Sequence, residues 1–569
     1  MVAIQYPLEK FKYIPKEKIF IHPLGNTIHY TDGPIEQYIM SALKNSKDLR
    51  DGSKELVKWI KDWPTYYHLG IGRSNILRAL ELRNTKTLTV LELGAGIGAI
   101  TRYLGENFKR VDAIEGAINR AKLARERTRD LENVNIYASN FMGIKFDPKY
   151  DIATLIGVLE YAPIYVPDQT PEHSVLTVLN HVKSALKKEG LLVIAIENKI
   201  GLKYWIGYPE DHTGRVFDGI NDYPYYNNPT RHPITFSKAE LTKLLKKAGF
   251  NYIHFFYCFP DYKFAETIIN DSDEIYKHDI YNWINTPFPQ SDWNNKLKLI
   301  NKILNKLGHK INENFALKTL TKARLLGEFA NSFLIVASMD STPIYLKQDW
   351  IIKKFSIKRR RELQTISTLR KTRQEEYYIE KTRMYLQEKE IKIKENNITL
   401  VHKVGRFGYH FGTPLLEEIK AAGVAGDINK ITDILKKLHS ALIKLHGLPE
   451  KDSDGYQLVT GNAFDFIPRN LIQTPTNNLI AVDYEFTIEH PLPNDYILFR
   501  AIIVDVLPNI NMTKQCKLKL PVIEGGMIKH KKTKLGIKIL KNIYGTYSKE
   551  RYREHAKLET KIQKIISGG

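Results

Sequence analysis

Cysteine is almost missing from this chain of 569 residues, which has only Cys258 and Cys516. Two cysteines cannot build a disulfide framework, and they exclude a zinc site made of cysteine ligands. Long apolar runs are missing as well, since no stretch approaches the roughly 18 apolar residues of a membrane-spanning helix. The N-terminal stretch "MVAIQYPLEKFKYIP" lacks the basic segment and apolar segment of a secretory signal. These absences favour a cytoplasmic protein in a reducing compartment.

Acidic residues are outnumbered, with 63 Asp and Glu against 85 Lys and Arg and a formal net charge of +22. Such an excess is compatible with nucleic acid, an anionic membrane face or a phosphorylated substrate as partner. A composition biased towards Lys, Ile and Asn, with the charge spread over the surface, is the favoured explanation, so the charge alone names no partner. Hydrophobic residues make up 43% of the chain, which indicates a globular protein, and the length predicts two to four domains.

Short apolar segments alternate with helical patterns from residue 87 to about 200, which is typical of a parallel sheet flanked by helices. A helix with a capping box begins after Ser237, and "NSFLIVAS" adds one more strand at 331–338. The predicted fold class is therefore α/β and Rossmann-like. The other predicted strands are 88–93, 110–115, 134–138, 150–157 and 190–197.

The pattern divides the chain into four parts. We expect N-terminal cap or leader helices over 1–80, including a helix that stops at Pro64, and the α/β domain over 81–340 with a mostly helical insertion at 262–325. The pattern restarts near 341 with strand-like "TPIYLK" and "YYIEK", a long basic helix around 383–395 and an amphipathic helix over 428–447. This α+β domain covers 341–510, and a basic helical tail covers 511–569.

The glycines of "VLELGAGIGAITRYLGE" (90–106) satisfy the dinucleotide fingerprint, because Gly94-x-Gly96-x-x-Ala99 lets backbone approach a ligand at a helix N-terminus. Proteins that bind NAD and proteins that bind S-adenosylmethionine (SAM) both have an acidic residue about twenty residues after the first glycine, and Glu115 occupies that position here. Glu92 discriminates between them, because its carboxylate would repel a pyrophosphate but suits the amino group and sulfonium of SAM. The polar stretch "ASNFMG" with Asn140 follows the third strand and fits an adenine contact. SAM is the expected cofactor.

The glycine segment resembles class I SAM-dependent methyltransferases found with bacterial lipopolysaccharide and surface-polysaccharide synthesis. The resemblance also rests on "DWPTYYHLGIGRSNILR" (62–78), "DIATLIGVLEYA", "IAIENKIGLKYWIGYPEDHTG" and "FPDYK", and it covers roughly residues 30–340. The run from Glu197 to Gly214 is its most specific part. His68 and Arg73 are expected to close over the carboxylate of SAM. The remaining expected cofactor contacts are Gly94, Ala95, Gly96, Gly98, Gly116, Phe141 and Gly157.

Methyl transfer needs an acceptor in line with the sulfonium methyl, and a hydroxyl acceptor benefits from a general base. The loop "GYPEDHTG" follows the fifth strand at the carboxyl edge of the sheet and offers Asp211 and His212 side by side. His212 is expected either to act as base or to orient the acceptor, and Glu160 is expected near the acceptor or the methionine end of SAM. No trio of metal ligands is evident in the sequence of this domain, so a metal-free mechanism is expected there.

The second half contains a D-x-x-x-x-N pattern, Asp465 to Asn470, followed by Asp483 after an apolar strand. It resembles the catalytic loop and metal-binding aspartate of kinase-like folds, which implies that Asp465 orients an attacking hydroxyl and that Asn470 and Asp483 hold Mg²⁺. Lys381 would then meet the phosphates of ATP, with Glu388 or Glu390 as its helix partner. No glycine-rich phosphate loop is recognisable, and Ala463-Phe464 stand where a histidine motif is usual. Chance occurrence of the pattern is the alternative.

Methyltransferases fused to a kinase-like domain occur among enzymes that cap O-antigen polysaccharides, and the chain resembles that arrangement. The resemblance implies a SAM-dependent O-methyltransferase acting on a surface polysaccharide or its lipid-linked precursor, with a kinase-like domain that phosphorylates the same acceptor. The alternatives are a nucleic-acid methyltransferase, for which no RNA-binding or base-flipping motif is found, and a silent scaffold that binds SAM or ATP. The basic tail is expected to contact an anionic inner membrane face or a membrane-bound glycosyltransferase complex, or to be merely solvated.

Overall fold

The computed structural model describes residues 5–284, 311–509 and 530–568, apart from positions 26, 29, 30, 168, 169, 227–230, 279, 312, 342, 344, 348 and 477. The chain divides into two compact units, Met1–Phe355 and Ser356–Gly569, called here unit 1 and unit 2. Among the described residues no helix combines the length and apolarity needed to span a bilayer. Cys258 is buried, and Cys516 lies outside the described residues.

Unit 1 is built on one large sheet. Its strands are β1 (Lys12–Ile14), β2 (Ile19–Ile21), β3 (Thr89–Leu93), β4 (Arg110–Glu115), β5 (Val134–Ala138), β6 (Tyr150–Ile156), β7 (Leu186–Glu197), β8 (Tyr252–Phe259), β9 (Thr267–Asn270), β10 (Ser332–Ser338) and β11 (Trp350–Ser356). The spatial order is β1-β2-β5-β4-β3-β6-β7-β10-β8-β9-β11. Strands β2 to β7 pair in parallel, whereas β10 runs antiparallel between β7 and β8. The predicted strands and the Rossmann-like sheet are thereby confirmed.

The strand order reverses at β3, which has β4 on one side and β6 on the other. In open α/β sheets this reversal opens a crevice at the carboxyl ends of the two strands, where ligands bind. The glycine loop follows β3 and Gly157 follows β6. Both segments therefore lie at the expected crevice because of the topology alone.

Ten helices before residue 285 and one after 312 accompany the described part of this sheet. They are α1 (Pro34–Asn45), α2 (Lys54–Val57), α3 (Trp63–Leu69), α4 (Asn75–Ala79), α5 (Ala99–Asn107), α6 (Ile118–Arg127), α7 (Ala162–Tyr165), α8 (Pro171–Lys183), α9 (Leu202–Trp205), α10 (Lys238–Lys247) and α11 (Glu313–Lys322). The capping box of α10, between Ser237 and Glu240, is present as predicted.

Two expectations for unit 1 are wrong. Pro64 does not stop a helix: α3 begins at Trp63, capped by Asp62, because proline in a first helical turn forfeits no hydrogen bond. The leader over 1–80 is not only helical, since β1 and β2 join the sheet. The described part of 262–325 contains α11, three short 3-10 turns and β9, and residues 285–310 lie outside the description, so the mostly helical insertion stays a prediction.

Unit 2 combines four small antiparallel sheets with a helical core. Its strands are β12 (Thr365–Lys371), β13 (Tyr377–Arg383), β14 (Glu390–Glu395), β15 (Ile398–Lys403), β16 (Gly405–Gly408), β17 (Thr413–Pro414), β18 (Gly447–Lys451), β19 (Gln457–Val459), β20 (Leu471–Gln473), β21 (Leu479–Ala481), β22 (Phe486–Ile488) and β23 (Leu492–Pro493). Its helices are α12 (Leu415–Ala425), α13 (Ile428–His446), α14 (Asn494–Ala501), α15 (Leu507–Asn509), α16 (His530–Tyr544) and α17 (Lys549–Ser567). The predicted strand at "YYIEK" and the amphipathic helix at 428–447 are confirmed as β13 and α13.

The long basic helix expected around 383–395 is wrong. The segment "EIKIKE" forms β14 and pairs with β15 through a tight turn. Asn396 and Asn397 form that turn with φ of 52° and 61°, the left-handed values that a two-residue hairpin turn requires. The alternation of Ile with charged residues is the period of a half-buried strand, which outweighs the helix propensity of Glu and Lys. The strand-like "TPIYLK" is not a strand where it is described, and β11 begins at Trp350 instead.

The domain boundaries also differ from the expected ones. Residues up to 355 belong to unit 1 because β11 pairs with β9, so the division falls at 355/356 and not at 340. The described part of the tail is helical as expected, but it is no separate appendage. Its apolar side chains are buried in the core of unit 2: Ile539, Leu540, Tyr547, Tyr552, Ile562, Ile565 and Ile566.

Substitution of Ile562 by alanine is expected to destabilise unit 2 by about 2–5 kcal/mol, because it leaves a cavity beneath α17. Its neighbour Lys561 is exposed, and Lys561→Ala should stay within about 0.5 kcal/mol of wild type. Hydrogen exchange of the α13 amides in the full chain measures both changes. Equal exchange rates in the two variants would show that the C-terminal helices do not stabilise this core.

Candidate functional site

The glycine loop after β3 is held in a conformation that glycine alone adopts easily. Gly94, Gly96 and Gly98 have φ of 75°, 57° and 81°. A Cβ on Gly94 would lie 2.4 Å from Cγ2 of Val158, and one on Gly98 would lie 2.9 Å from Cα of Ala124. A Cβ on Gly96 would meet nothing within 4 Å. Gly96 therefore borders open space at the crevice, whereas its neighbours are packed.

Two buried carboxylates flank this loop, as the sequence predicted. Glu115 at the end of β4 accepts hydrogen bonds from the backbone N–H groups of Gly96 (2.7 Å) and Ala117 (2.9 Å). Burial raises the pKa of Glu115, and it raises the pKa of Glu92 to about 8. Oε2 of Glu92 has no hydrogen-bond partner among the described residues. An ammonium group bound beside Glu92 would favour its ionised form and lower this pKa.

The segment after β5 is locally ordered. Oδ1 of Asn140 accepts a hydrogen bond from the Met142 N–H (3.0 Å) and caps a 3-10 turn. The Phe141 ring is buried against Tyr165 and His181, with centroids 5.2 and 6.5 Å away. A ligand contact of Phe141 would therefore involve its backbone or one edge of its ring. Ala95 is buried within the glycine loop.

The two residues expected to close over SAM already have protein partners. Nε2 of His68 lies 3.2 Å from Oδ2 of Asp32, and burial lowers the pKa of the imidazole. Arg73 donates to the backbone carbonyl of Lys263 (3.0 Å) and to the Tyr67 hydroxyl (3.0 Å). His68 thus contacts the segment before α1, and Arg73 connects the segment after α3 to the turn after β8, while a role towards the carboxylate of SAM remains a prediction.

Three of the side chains at the carboxyl ends of β6 and β7 converge. Glu197 is the last residue of β7, Glu160 follows Gly157 after β6, and His212 lies in the loop after α9. Nε2 of His212 lies 3.6 Å from Oε2 of Glu197, and the ligand atoms of all three side chains lie within 4.8 Å of one another. The sequence marked Glu160 and His212 but missed Glu197 as their partner.

Burial and the charges of neighbouring side chains shift the pKa values of this trio apart. Burial and the neighbouring Glu197 raise the pKa of Glu160 to about 8. Burial alone would raise the pKa of Glu197, but Lys263 and His212 outweigh it and lower that pKa to about 2. Burial alone would lower the pKa of His212, but Glu197 outweighs it and raises the value to about 9. The trio thus favours an ionised Glu197 beside protonated neighbours.

Asp211, the other residue expected in the reaction, is fully occupied. Its Oδ2 accepts hydrogen bonds from Nζ of Lys203 (2.7 Å) and the hydroxyl of Tyr204 (2.7 Å), and its Oδ1 accepts one from Nζ of Lys263 (3.1 Å). Burial opposes ionisation, but the two lysines hold the pKa of Asp211 well below its usual range. Asp211 therefore acts as an anchor of the loop that carries His212, and it is poorly suited to accept a proton.

The two lysines bridge distant parts of the chain. Nζ of Lys203 also reaches Oδ2 of Asp261 (3.0 Å), and Nζ of Lys263 also pairs with Oε1 of Glu197. Both side chains are nearly or fully buried. The motifs "IENKIGLKYW" and "FPDYK" contain these lysines. Because the two lysines are sixty residues apart, the sequence does not indicate that both donate to the same aspartate.

In unit 2 the residues expected to resemble a kinase site lie on one loop system. Asp465 is buried, and its Oδ2 accepts a hydrogen bond from the Phe486 N–H (2.9 Å). Burial raises the pKa of Asp465 to about 7. Nδ2 of Asn470 donates to the backbone carbonyl of Asp465 (3.0 Å). Asn470 thus braces the loop that carries Asp465, and its role as a metal ligand stays a prediction.

Lys381 meets Asp483 directly, and it also donates to Oε2 of Glu485 (2.8 Å). Arg359 donates to the same oxygen of Glu485 (3.0 Å). The expected helix partner is wrong, because neither candidate lies on a helix: Glu388 lies in the loop before β14, and Glu390 lies on β14 and pairs with Lys403 (3.2 Å). Sequence reasoning missed Glu485, which stands two residues after Asp483. An ion-pair cluster therefore joins the predicted lysine and aspartate, with Lys381 and Glu485 buried and Asp483 partly exposed, while ATP and Mg²⁺ remain predictions.

Residues 70–255 match the family model described as a methyltransferase domain. The match begins just before α4 and ends within β8, so it contains the glycine loop, both flanking carboxylates and the trio at Glu160, Glu197 and His212. The methyltransferase domain predicted from the sequence is confirmed for this range. Among curated proteins no sequence matches the chain.

Solved structures similar to the chain include phosphoethanolamine N-methyltransferase 2 of Haemonchus contortus, in complex with phosphomonomethylethanolamine and S-adenosylhomocysteine. It is 14% identical with a TM-score of 0.28, over 47% of this chain and 52% of that chain. A SAM-dependent methyltransferase from Thermotoga maritima is 15% identical with a TM-score of 0.26, over 47% and 88%. Another from Aquifex aeolicus is 21% identical with a TM-score of 0.24, over 35% and 88%. The chain thus spans about half the length of the Haemonchus enzyme.

Proposed function

We propose that unit 1 is a SAM-dependent O-methyltransferase whose acceptor is a bacterial surface polysaccharide of the lipopolysaccharide or O-antigen type, or its lipid-linked precursor. The observation that carries the proposal is the open space beside Gly96 at the strand-order reversal, flanked by two buried carboxylates. A cationic methyl donor suits that charge and a pyrophosphate does not. The acceptor class is supported by the motif resemblance, above all by the run from Glu197 to Gly214.

In this reaction the glycine loop and Glu115 would hold SAM, which would supply the methyl group, and the acceptor hydroxyl would face the trio of side chains after β6 and β7. The hydroxyl oxygen would form a bond to the methyl carbon of SAM while the carbon–sulfur bond breaks. The electron pair of the broken bond would stay on sulfur, which gives S-adenosylhomocysteine. With His212 in its deprotonated form, the hydroxyl proton passes to Nε2 of His212, because the raised pKa of about 9 makes the neutral imidazole a strong proton acceptor. Asp211 positions His212 through the loop they share.

Replacement of His212 by asparagine should lower the rate of methyl transfer about a hundredfold, because a positioned proton acceptor contributes about that factor or more. SAM affinity should stay unchanged, since the imidazole serves the acceptor. Transfer of labelled methyl from SAM to purified surface glycan measures the rate. His173→Asn on α8 is the matched control, because His173 is exposed. Equal rates for the two variants would exclude the assigned role.

The acceptor class is tested in the cell. Deletion of the gene should remove a methyl group from the surface glycan or change its chain length, as read by mass spectrometry. An unchanged glycan would exclude this acceptor and leave the SAM assignment standing. Oligonucleotide binding that weakens steeply with salt would favour the nucleic-acid alternative. Binding of SAM without turnover on glycan would favour a scaffold.

A second function is favoured by one contact in unit 2. The ion pair of Lys381 with Asp483 is what a phosphate-binding lysine beside a metal-binding aspartate would form, and the resemblance to kinase-like domains implies phosphotransfer to the same acceptor. Lys381→Met in the full chain should weaken ATP binding in the presence of Mg²⁺ at least about tenfold. Lys392→Met, at a highly exposed position of β14, serves as control. ATP binding that is equal in both variants would exclude the nucleotide site.

A further inference from the structure

The trio after β6 and β7 contains three buried polar atoms that the protein itself leaves unsatisfied. Oε2 of Glu160, Oε2 of Glu197 and Nε2 of His212 have no hydrogen-bond partner among the described residues. Glu160 is 1% exposed, Glu197 is fully buried and the side chain of His212 is 10% exposed. Buried polar atoms are normally paired, since an unpaired one costs about 1–3 kcal/mol. Three that face one another indicate a missing ligand.

The orientation of Glu197 is fixed by the protein. Lys263 holds Oε1 of this carboxylate, which leaves Oε2 directed towards His212 at 3.6 Å. Such outer contacts orient ligand groups in metal sites. Two carboxylates and an imidazole are donors that divalent transition cations accept, with bonds of about 2.0–2.2 Å. Donor atoms that lie within 4.8 Å of one another can surround one such ion.

A neighbouring trio shows the contrast. Glu197, Asp211 and Asp261 also have carboxylate oxygens within 4.8 Å of one another. This second group is filled by protein cations, because Lys203 and Lys263 donate to its aspartates. With every carboxylate ionised and His212 neutral, the two trios together keep an excess of two negative charges over these lysines. The excess is located at Glu160 and Oε2 of Glu197.

We propose that Glu160, Glu197 and His212 bind one divalent transition cation, Mn²⁺ or Zn²⁺, at the acceptor end of the crevice. Its role rests on the proposed function: a free coordination position takes the acceptor hydroxyl and makes it more acidic. The proton then passes to water, while the bonds to the methyl group form and break as described above. The ligand atoms of the trio thus bind either the cation or the protons of Glu160 and His212, and not both at once.

The experiment titrates Mn²⁺ into the full chain after dialysis against a chelator, and follows free Mn²⁺ by electron paramagnetic resonance without SAM or acceptor. One bound ion per chain is expected. Glu160→Gln and His212→Asn should each raise the dissociation constant at least about tenfold, because each removes a ligand. Glu132→Gln, at an exposed position, should leave it unchanged. Zn²⁺ should compete for the bound Mn²⁺.

Absence of bound Mn²⁺, with no Zn²⁺ retained in equilibrium dialysis, would overturn the proposal. Binding that persists unchanged in both ligand variants would overturn it as well. Circular dichroism and SAM binding show whether each variant folds. If His212→Asn fails to fold, His212→Gln is used in its place. Methyl transfer that continues after complete removal of divalent cations would refute the role of the ion and leave the methyltransferase assignment intact.

Discussion

Gly96→Val is expected to weaken SAM binding to the full chain at least about a thousandfold. A valine side chain at this position would project into open space beside the glycine loop, where a Cβ meets nothing within 4 Å. The φ of 57° adds strain, because left-handed backbone costs an L-residue about 1–2 kcal/mol. A thousandfold corresponds to about 4 kcal/mol, which steric exclusion from the site readily supplies. Calorimetry with SAM and S-adenosylhomocysteine measures the loss.

A control variant distinguishes the effect of backbone strain on SAM affinity from the effect of a valine side chain that fills the cofactor site. Gly455 in unit 2 has a φ of 85° and equally open surroundings, so Gly455→Val carries similar strain away from the crevice. It should leave SAM affinity unchanged. Tight binding of a nicotinamide dinucleotide to wild type, with no heat from S-adenosylhomocysteine, would refute the assignment of the cofactor.

Lys203→Met should lower the free energy of unfolding of unit 1 by about 3–5 kcal/mol. The variant leaves Asp261 and one oxygen of Asp211 buried without the ammonium group that now lies 2.7–3.0 Å away. Breaking a buried ion pair from one side costs about this much, since the remaining charge has lost its compensation. Hydrogen exchange of the β7 and β10 amides reports the change for unit 1 without interference from unit 2.

The double variant Lys203→Met, Asp211→Asn removes one of the two carboxylates that lose this ammonium group and should recover about half of the loss. Lys246→Met, at an exposed position on α10, should stay within about 0.5 kcal/mol of wild type. A destabilisation in the double variant that equals the sum of the two single effects would show that these side chains do not act as a pair.

The sheet of unit 1 could be predicted because its signals are local. Strands buried on both faces read as continuous apolar runs, and "VLELGAGIG" carries its turn chemistry within nine residues. The same holds for the placement of Glu92 and Glu115 beside the glycine loop, which follows from their offset from the glycines. Local reasoning failed at "EIKIKE", where charge suggested a helix and the alternation was the better guide.

The cluster around Asp211 could not be predicted in this way. Lys203 and Lys263 stand sixty residues apart, and only the folding of β7 and β8 into one sheet brings both to the same carboxylate. A sequence shows that Asp211 precedes His212, but it does not show that two ammonium groups already hold the aspartate. The sequence therefore predicts Asp211 as a participant in the reaction beside His212, whereas the structure shows it as the anchor of the loop that carries His212.

The position of β10 leaves the edges of two strands unpaired while the chain is still being synthesised. This strand fills the gap between β7 and β8, although more than seventy residues separate it from the end of β8. Until residue 338 has been synthesised, both neighbours expose open backbone edges to other nascent chains. A truncated gene product that stops before β10 is thus expected to aggregate, and a fragment for crystallisation should extend at least to Phe355.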